Sequence, residues 1–427
     1  MNTYTEQHAI SYHSEVPAWL GEFCAVPEMQ RLRGVGMNCG CEYTSFPRFR
    51  GLPRYSRFRH SVGVCLITWH FTGSIEQALA ALFHDISTPS FAHTVDFLHG
   101  DYLRQEYTEG RTAAMITQSA EITALLGKYG VAPNAVTDYH LYPIADNDSP
   151  RLSADRLEYT IGNLAGYSLC SPAALQEYYD ALYVAAAPDG VPELAFQSAD
   201  IAAAFARDVL KMSRIYVSDE DRCAMQRLAE LLRHAVEKSV IKLDDLYGTE
   251  DEVIARITAD DGLHAEWAAY RALHRMLRPD EAVPDAAWRV IPVKKRCIDP
   301  LVAGKGRLSE IDADFAAELS SFIGQPLDAR VCAIGYDSKT GRALRLCPFD
   351  ILLCPFHSRG SFAVTIAIKH SPRHMSLNTL RSVRHIALFI NISIMRTTAT
   401  AIARPIVTCR IISATFCILR FTPLVCI

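Results

Sequence analysis

Apolar positions along the chain recur mostly at helical spacing. Val62, Cys65, Leu66 and Trp69 fall on the inner face of a helix that begins near His60, and a second apolar helix over about 74–83 ends at His84 and Asp85. Before them, residues 1–24 read as an irregular arm or a short helix, 25–36 as a helix carrying Gln30, Arg31 and Arg33, and 37–56, rich in Gly, Pro and aromatics, as a loop. After them the pattern predicts helices over 94–105, 108–127, 152–165 and 172–184. Extended residues flank Pro188-Asp189-Gly190 and predict a hairpin over 184–196. Ser218 opens a long amphipathic helix through Met225, Leu228, Leu232 and Ala235, with helices following near 249–257, 262–277 and Ser309 to Phe322. Residues 288–302 read as extended. The expected fold class is therefore mainly α, a helical bundle with a small β-hairpin or extended segment.

Composition changes this picture mainly at the C-terminus. Residues 1–350 hold all 47 acidic residues and 34 of the 43 Lys and Arg, a net charge of −13, which excludes nucleic-acid binding through a general basic field. Residues 351–427 hold nine basic residues and no acidic ones, in short apolar bursts without helical period. They are expected to form a poorly structured extension, with a translated frame-shift product as one origin; a basic membrane-surface segment is the alternative. The expected organisation is an arm over 1–24, a metal-binding helical core over 25–185, a mainly helical part packed on it over 186–340, and the atypical basic tail over 341–427.

The first twenty residues lack the charged and apolar regions of a signal peptide, no uncharged apolar run reaches membrane-spanning length, and the thirteen cysteines form no regular framework. Reduced thiols and a cytoplasmic protein with no membrane partner are expected. Cys39-x-Cys41 lacks a matching second pair and is not read as a zinc site.

Candidate chemistry gathers at the ends of the two apolar helices. His60, His84 and Asp85 supply imidazole nitrogens and a carboxylate, donors that hold a divalent ion and leave positions open to water. A fourth ligand is expected from Asp155, an acid inside the otherwise amphipathic segment RLSADRLEYTIGNL, which needs a partner wherever it faces inward. The ion, of unspecified identity among Mn, Fe, Ni, Zn and Mg, would polarise a phosphoryl oxygen and lower the pKa of bound water. Arg57, on or near the face of His60, could neutralise phosphate charge, and His93, beyond Pro89, could act as a general acid. Tyr159, one turn after Asp155, would face the same cavity. Lys294, Lys295 and Arg296 make 288–302 locally basic, as a solvated edge or as a phosphate-contacting segment.

At these positions the chain resembles the HD-domain metal-dependent phosphohydrolases, and within them the deoxynucleoside triphosphate triphosphohydrolase branch. The resemblance rests on Gln30-Arg31-Leu32-Arg33, on Arg57-x-x-His60-Ser61-x-Gly63-Val64, on His84-Asp85 followed by Pro89-x-Phe91-x-His93, and on Asp155-Arg156-x-x-Tyr159, in that order. It is plain over about 25–170 and fainter to about 335. It implies a helical HD fold, metal ligation by His60, His84, Asp85 and Asp155, and substrate contacts from Gln30, Arg31, Arg57, Arg156 and Tyr159. The implied substrate is a small phosphorylated molecule, a nucleotide foremost, and a homo-oligomer is compatible with it.

The chain departs from that branch at three positions. Thr88 stands where the branch has a further histidine, Thr108-Glu109 aligns with its later His-Glu pair, and Asn163 replaces an acid near the sugar. Metal ligation is therefore expected to be kept while the acid-base set and sugar pocket differ. The leading expectation is hydrolysis of a phosphate ester or anhydride; the alternatives are a dNTP triphosphohydrolase and a non-catalytic metal- and nucleotide-binding regulatory module.

Overall fold

Ser56 starts the central helix. Its hydroxyl accepts from the Arg59 amide, which fixes the N-terminus of α3 (Arg57–Thr72), and Gly73 in the left-handed region ends it. The Ser74 hydroxyl then accepts from the Gln77 amide and starts α4 (Ile75–Phe83) directly. Preceding them in the chain are α1 (Ala18–Cys24) and α2 (Pro27–Arg31), the latter continuing as a 3-10 turn over Leu32–Gly34. The computed structural model describes residues 8–103, 111–277 and 288–336, together with the backbone of short strands beyond them. Thr108 lies outside the described residues.

After the site loop come α5 (Thr94–His99), α6 (Thr112–Gln118), α7 (Ala120–Lys128), α8 (Ala154–Gly166) and α9 (Pro172–Asp180). The expected hairpin is present as β1 (Leu182–Ala186) and β2 (Pro192–Phe196), antiparallel with Leu182 opposite Phe196. Next come α10 (Ala199–Tyr216), α11 (Asp219–Glu237), α12 (Glu250–Ala259), α13 (Asp261–Arg271), β3 (Leu273–Met276), β4 (Arg289–Val290), β5 (Leu301–Val302), β6 (Gly306–Arg307), α14 (Leu308–Ile311), α15 (Ala313–Gly324), β7 (Arg330–Val331), β8 (Ala333–Tyr336) and β9 (Ala343–Leu344). One sheet has the order β1-β2-β5-β6, another β3-β8-β9, and β4 pairs with β7. The fold is mainly α, as expected, with small sheets at its edges.

Several elements differ in extent from the sequence pattern. The segment 108–127 holds two helices because Ser119 caps the second, its hydroxyl accepting from the Ile122 amide. Asp312 divides 309–322 in the same way, accepting from the Phe315 amide. The helix expected over 94–105 stops at His99, where Gly100 takes a left-handed conformation. Those over 172–184 and 262–277 give way to β1 and β3. The pattern assigns no element to 197–217, where Ser198 caps the 18-residue α10.

Two glycines set how closely α3 and α8 approach. A methyl group at Gly63 would lie 2.5 Å from Glu158 Cγ, and one at Gly162 would lie 2.3 Å from the Tyr55 hydroxyl. Only hydrogen fits at either position, and this contact brings Asp155 up to His60. A single large core runs through the helices, with Phe23, Phe58, Phe83, Phe91 and Phe97 fully enclosed.

The chain divides into two units, 1–346 and 347–427. The second unit, taken by itself, pairs β10 (Leu352–Pro355), β11 (Val364–Lys369), β12 (Ile406–Ser413) and β13 (Phe416–Thr422) as an antiparallel sheet in the order β10-β11-β13-β12. Its strands β11 and β12 fall on the β-branched runs TIAI and IVTCRII. No helix among the described residues is long and apolar enough to cross a membrane, and the eight described cysteines are free.

Candidate metal centre

Three elements deliver the central groups. His60 stands in the first turn of α3, His84 caps the C-terminus of α4, and Asp155 occupies the first turn of α8. His60 Nε2 lies 3.2 Å from His84 Nε2 and 3.0 Å from Asp155 Oδ1, and His84 Nε2 lies 3.5 Å from the same oxygen. One donor atom from each lies within 4.8 Å of those of the other two. Asp85, expected as a fourth ligand, stands beside this triad. Its Oδ2 is 3.5 Å from His84 Nε2 and 3.7 Å from His60 Nε2, but accepts from Arg57 Nη1 at 2.7 Å, while its Oδ1 accepts from Thr88 Oγ1 at 2.7 Å.

The outer nitrogens of both histidines are committed. His84 Nδ1 donates to the Ala81 carbonyl at 2.7 Å, and His60 Nδ1 donates to Glu158 Oε2 at 2.6 Å. These acceptors assign the protons to Nδ1 and leave the Nε2 lone pairs facing each other and Asp155. Two lone pairs and a carboxylate at 3.0–3.5 Å repel unless positive charge lies among them, so the donor set fits a divalent cation. The surroundings call for positive charge: without an ion, burial disfavours a charged His60, yet the carboxylates of Asp155 and Glu158, as acceptors, outweigh it and lift its pKa to about 10. Burial likewise opposes ionised Asp155, but both histidines hold its pKa well below the carboxylate range.

Glu158, one turn beyond Asp155, went unread in the sequence because an acid at that spacing on an amphipathic helix passes for a solvated one. It is 1% exposed, with Tyr12 Oη donating to Oε1 at 3.2 Å, Tyr55 Oη donating to Oε2, and His8 Nδ1 3.6 Å from Oε1. Burial alone would raise its pKa; His60 and His8 bring it down to about 2. The N-terminal arm thus reaches the metal site through Tyr12 and His8.

Around the triad lies a cavity of about 220 Å³. Its lining includes the expected Arg57, His93, Arg156 and Tyr159, and also Tyr139, Asn163, Tyr167, Tyr216 and Asp221. Arg156 bonds Asn147 Oδ1 at 2.7 Å and pairs with Asp146 at 3.1 Å. His93 Nδ1 donates to Asp96 Oδ2 at 2.9 Å, and its Nε2 accepts from Arg296 at 3.2 Å. Burial is the main cause that holds the His93 pKa below its ordinary value, with Asp96 opposing. Lys294 and Arg296 line the cavity, whereas Lys295 turns away to the carbonyls at the end of α15, the alternation of an extended segment.

Gln30 and Arg31 are absent from the lining. The Gln30 amide donates to the Cys24 carbonyl, and Arg31 donates to the carbonyls of Gly248, Ile86 and Thr88. Arg31 thus ties the loop after His84-Asp85 to the 3-10 turn before α12, standing behind the site wall.

No family profile matches the chain. A 239-residue stretch is 27% identical to the uncharacterized protein YdhJ of Bacillus subtilis, covering 55% of this chain and 69% of that protein. A 149-residue stretch is 28% identical to the metal-dependent phosphohydrolase cns2 of Cordyceps militaris, covering 35% of this chain and 41% of that one. Among solved structures, a phosphohydrolase from Bacteroides thetaiotaomicron superposes with a TM-score of 0.52 at 12% identity, over 75% of this chain and 96% of its own. The fold is shared with a solved phosphohydrolase. A hypothetical protein from Aquifex aeolicus gives 0.50 at 15% identity, over 77% of this chain and 94% of its own.

Proposed function

We propose that the chain is an HD-type metal-dependent phosphohydrolase, cleaving a phosphate ester or anhydride of a nucleotide or another small phosphorylated molecule. The observation that carries this reading is the convergence of His60 Nε2, His84 Nε2 and Asp155 Oδ1 at 3.0–3.5 Å in a cavity walled by Arg57, Arg156, Lys294 and Arg296. The name of the Cordyceps relative and the shared fold support it. A divalent ion on these three groups supplies Lewis-acid polarisation of a phosphoryl oxygen and a water of lowered pKa. Asp85, ionised by its pair with Arg57, adds negative charge beside the triad.

In the hydrolysis, the water oxygen bonds to phosphorus and gives up a proton, the bond from phosphorus to the leaving oxygen breaks, and that oxygen takes a proton from a donor that the water's proton restores. His93 is the group we assign to the proton. Asp96 fixes its Nδ1, and Nε2 faces Arg296 in the cavity. Phosphate anion bound beside it favours the imidazolium form.

The test is a product screen on the full chain loaded in turn with Mn, Fe, Ni, Zn and Mg, using nucleoside mono- and triphosphates and sugar phosphates. Release of inorganic phosphate is the expected result. Tripolyphosphate would return the reading to the triphosphohydrolase branch, and no product with any metal would leave a binding module.

A further inference from the structure

The residues of α8 that face the cavity form a track leading away from the metal. Asp155, Tyr159 and Asn163 follow at four-residue intervals on one face, and Tyr167 caps the helix one turn later. At 1.5 Å per residue, Asn163 stands ~12 Å along the helix from the metal ligand and Tyr167 ~18 Å. The first of these distances is the extended reach of about nine covalent bonds at ~1.3 Å each in projection. Inorganic phosphate or a very small ester would leave this track unused.

The far end has a chemistry of its own. The Asn163 side-chain amide donates to Tyr216 Oη at 2.8 Å, so the Tyr216 proton remains to be donated. Among the described residues the hydroxyls of Tyr159 and Tyr167 have no hydrogen-bond partner, and both residues line the cavity. Met37 and Met225 add polarizable apolar surface. Asp221, in the first turn of α11, presents its carboxyl here. Its side-chain partner is the Cys41 thiol, 3.6 Å from Oδ2, and among the described residues no Lys or Arg lies within ion-pair distance of it. Burial pushes this carboxyl up to about 7, so an added N–H donor would relieve a real cost.

We propose that Asp221 and Tyr167 are specificity-determining residues which read an N–H-bearing flat ring on the leaving group of a phosphomonoester, with its phosphate at the triad and its ring between the tyrosines of α8 and Tyr216. Aromatic faces with methionine accept a planar ring, and a carboxylate whose side-chain partner is a weak thiol donor selects a ring that donates over one that only accepts. The assignment rests on the phosphohydrolase reading for the phosphate end alone.

The experiment has a kinetic and a binding arm, both on the full chain. In the first, metal-loaded protein is given adenosine and purine-riboside 5′-monophosphates, which differ in an exocyclic amine against a C–H, so that the second ring has acceptor nitrogens and no N–H. Wild type should prefer adenosine, and Asp221→Asn should shift the ratio of their kcat/KM at least tenfold toward the purine riboside, because an amide can donate to a bare ring nitrogen and a carboxylate cannot. A ratio that Asp221→Asn leaves unchanged overturns the proposal. In the second arm, calorimetry measures adenosine 5′-monophosphate binding without turnover. A wild-type Kd at least tenfold below that of Asp221→Asn supports the proposal even if no substrate is hydrolysed, a result that would defeat only the phosphohydrolase reading. Equal affinities overturn it. Should Asp221→Asn not fold, Tyr167→Phe removes a single hydroxyl; binding and ratio both at wild-type values in that variant would equally overturn the assignment.

Discussion

Replacing Glu158 by Gln tests how His60, a proposed metal ligand, is held. The carboxylate accepts from His60 Nδ1 at 2.6 Å with both side chains 1% exposed, so it raises the electron density at Nε2 and fixes the ring. The amide keeps a carbonyl oxygen for His60 and Tyr55, which share Oε2, and the Tyr12 hydroxyl, on Oε1, can rotate to accept from its nitrogen. Shape is therefore conserved and the loss is one of charge. Losing such an outer-shell partner usually weakens metal binding by about 10- to 100-fold, or ~1.4–2.7 kcal/mol. Competition against a chromogenic chelator would measure the dissociation constants of wild type and variant for Mn and Zn, and calorimetry of the metal-free proteins would check that folding is intact. Metal affinity within twofold of wild type in a folded Glu158→Gln protein would refute the role given to this carboxylate. Alanine is the poorer probe, because it strands His60 Nδ1 and two tyrosine hydroxyls in the interior at ~1–3 kcal/mol each.

Further outcomes follow from the same geometry. His84→Ala should abolish both metal content and activity, since two of the three converging groups bind an ion far more weakly; metal analysis showing full occupancy would sink the site. His93→Ala should keep the metal and lower turnover by roughly 10²-fold on substrates with poor leaving groups, but less on nitrophenyl phosphates, and equal losses would mark His93 as structural. Gly63→Ala gains about 1 kcal/mol of helix propensity but drives a methyl to 2.5 Å from Glu158, whose carboxylate is tied to His60, Tyr12 and Tyr55, so a net loss of ~1–2 kcal/mol is expected in urea titration, and a more stable variant would contradict the tight contact. Glu42 is raised by burial and by Glu250 to about 8, so the native state binds its proton more tightly than the unfolded chain does. Its contribution is present below about pH 4.5 and is lost as pH rises toward 8, by up to about 1.4 kcal/mol per pH unit, and Glu42→Gln should flatten that slope in denaturation curves at pH 5, 6.5 and 8.

What was legible in the sequence was local. His60, His84 and Asp155 each sit at a helix start or end that short-range signals define, and Ser56, Ser74 and Ser153 cap those helices with side-chain oxygens. Glu158 was not legible, because its burial is imposed by Tyr12 and Tyr55, 146 and 103 residues away. The direction of Arg31 was hidden for the same reason, since its acceptors include the Gly248 carbonyl, 217 residues distant. Ser119 and Asp312 lie inside apolar patterns that run on through them, and whether such a residue interrupts a helix or caps the next depends on packing. The signal for α10 was present, in Ser198 and in Ala202, Phe205, Ala206, Val209 and Leu210, yet alanine-rich periodicity is faint beside leucine.

The departures from the triphosphohydrolase pattern acquire a physical meaning at Thr88 and Asn163. Thr88 does not leave a hole where the branch has histidine, because its hydroxyl donates to Asp85 Oδ1 while Arg57 takes Oδ2. Both oxygens of that carboxylate are thereby satisfied from the protein, and a threonine hydroxyl cannot deliver a proton near neutral pH as an imidazole can. On the proposed function, proton transfer is assigned to His93, the one histidine lining the cavity, among the described residues, that is not in the candidate triad. At Asn163 an amide bonded to Tyr216 replaces a charge, so the middle of the track is neutral and the acidic group of that wall is moved out to Asp221. The two changes act together. On the proposed reading, one proton-carrying histidine beside the triad serves the release of one phosphate, and the carboxyl at the far end of the track would select what that phosphate leaves behind.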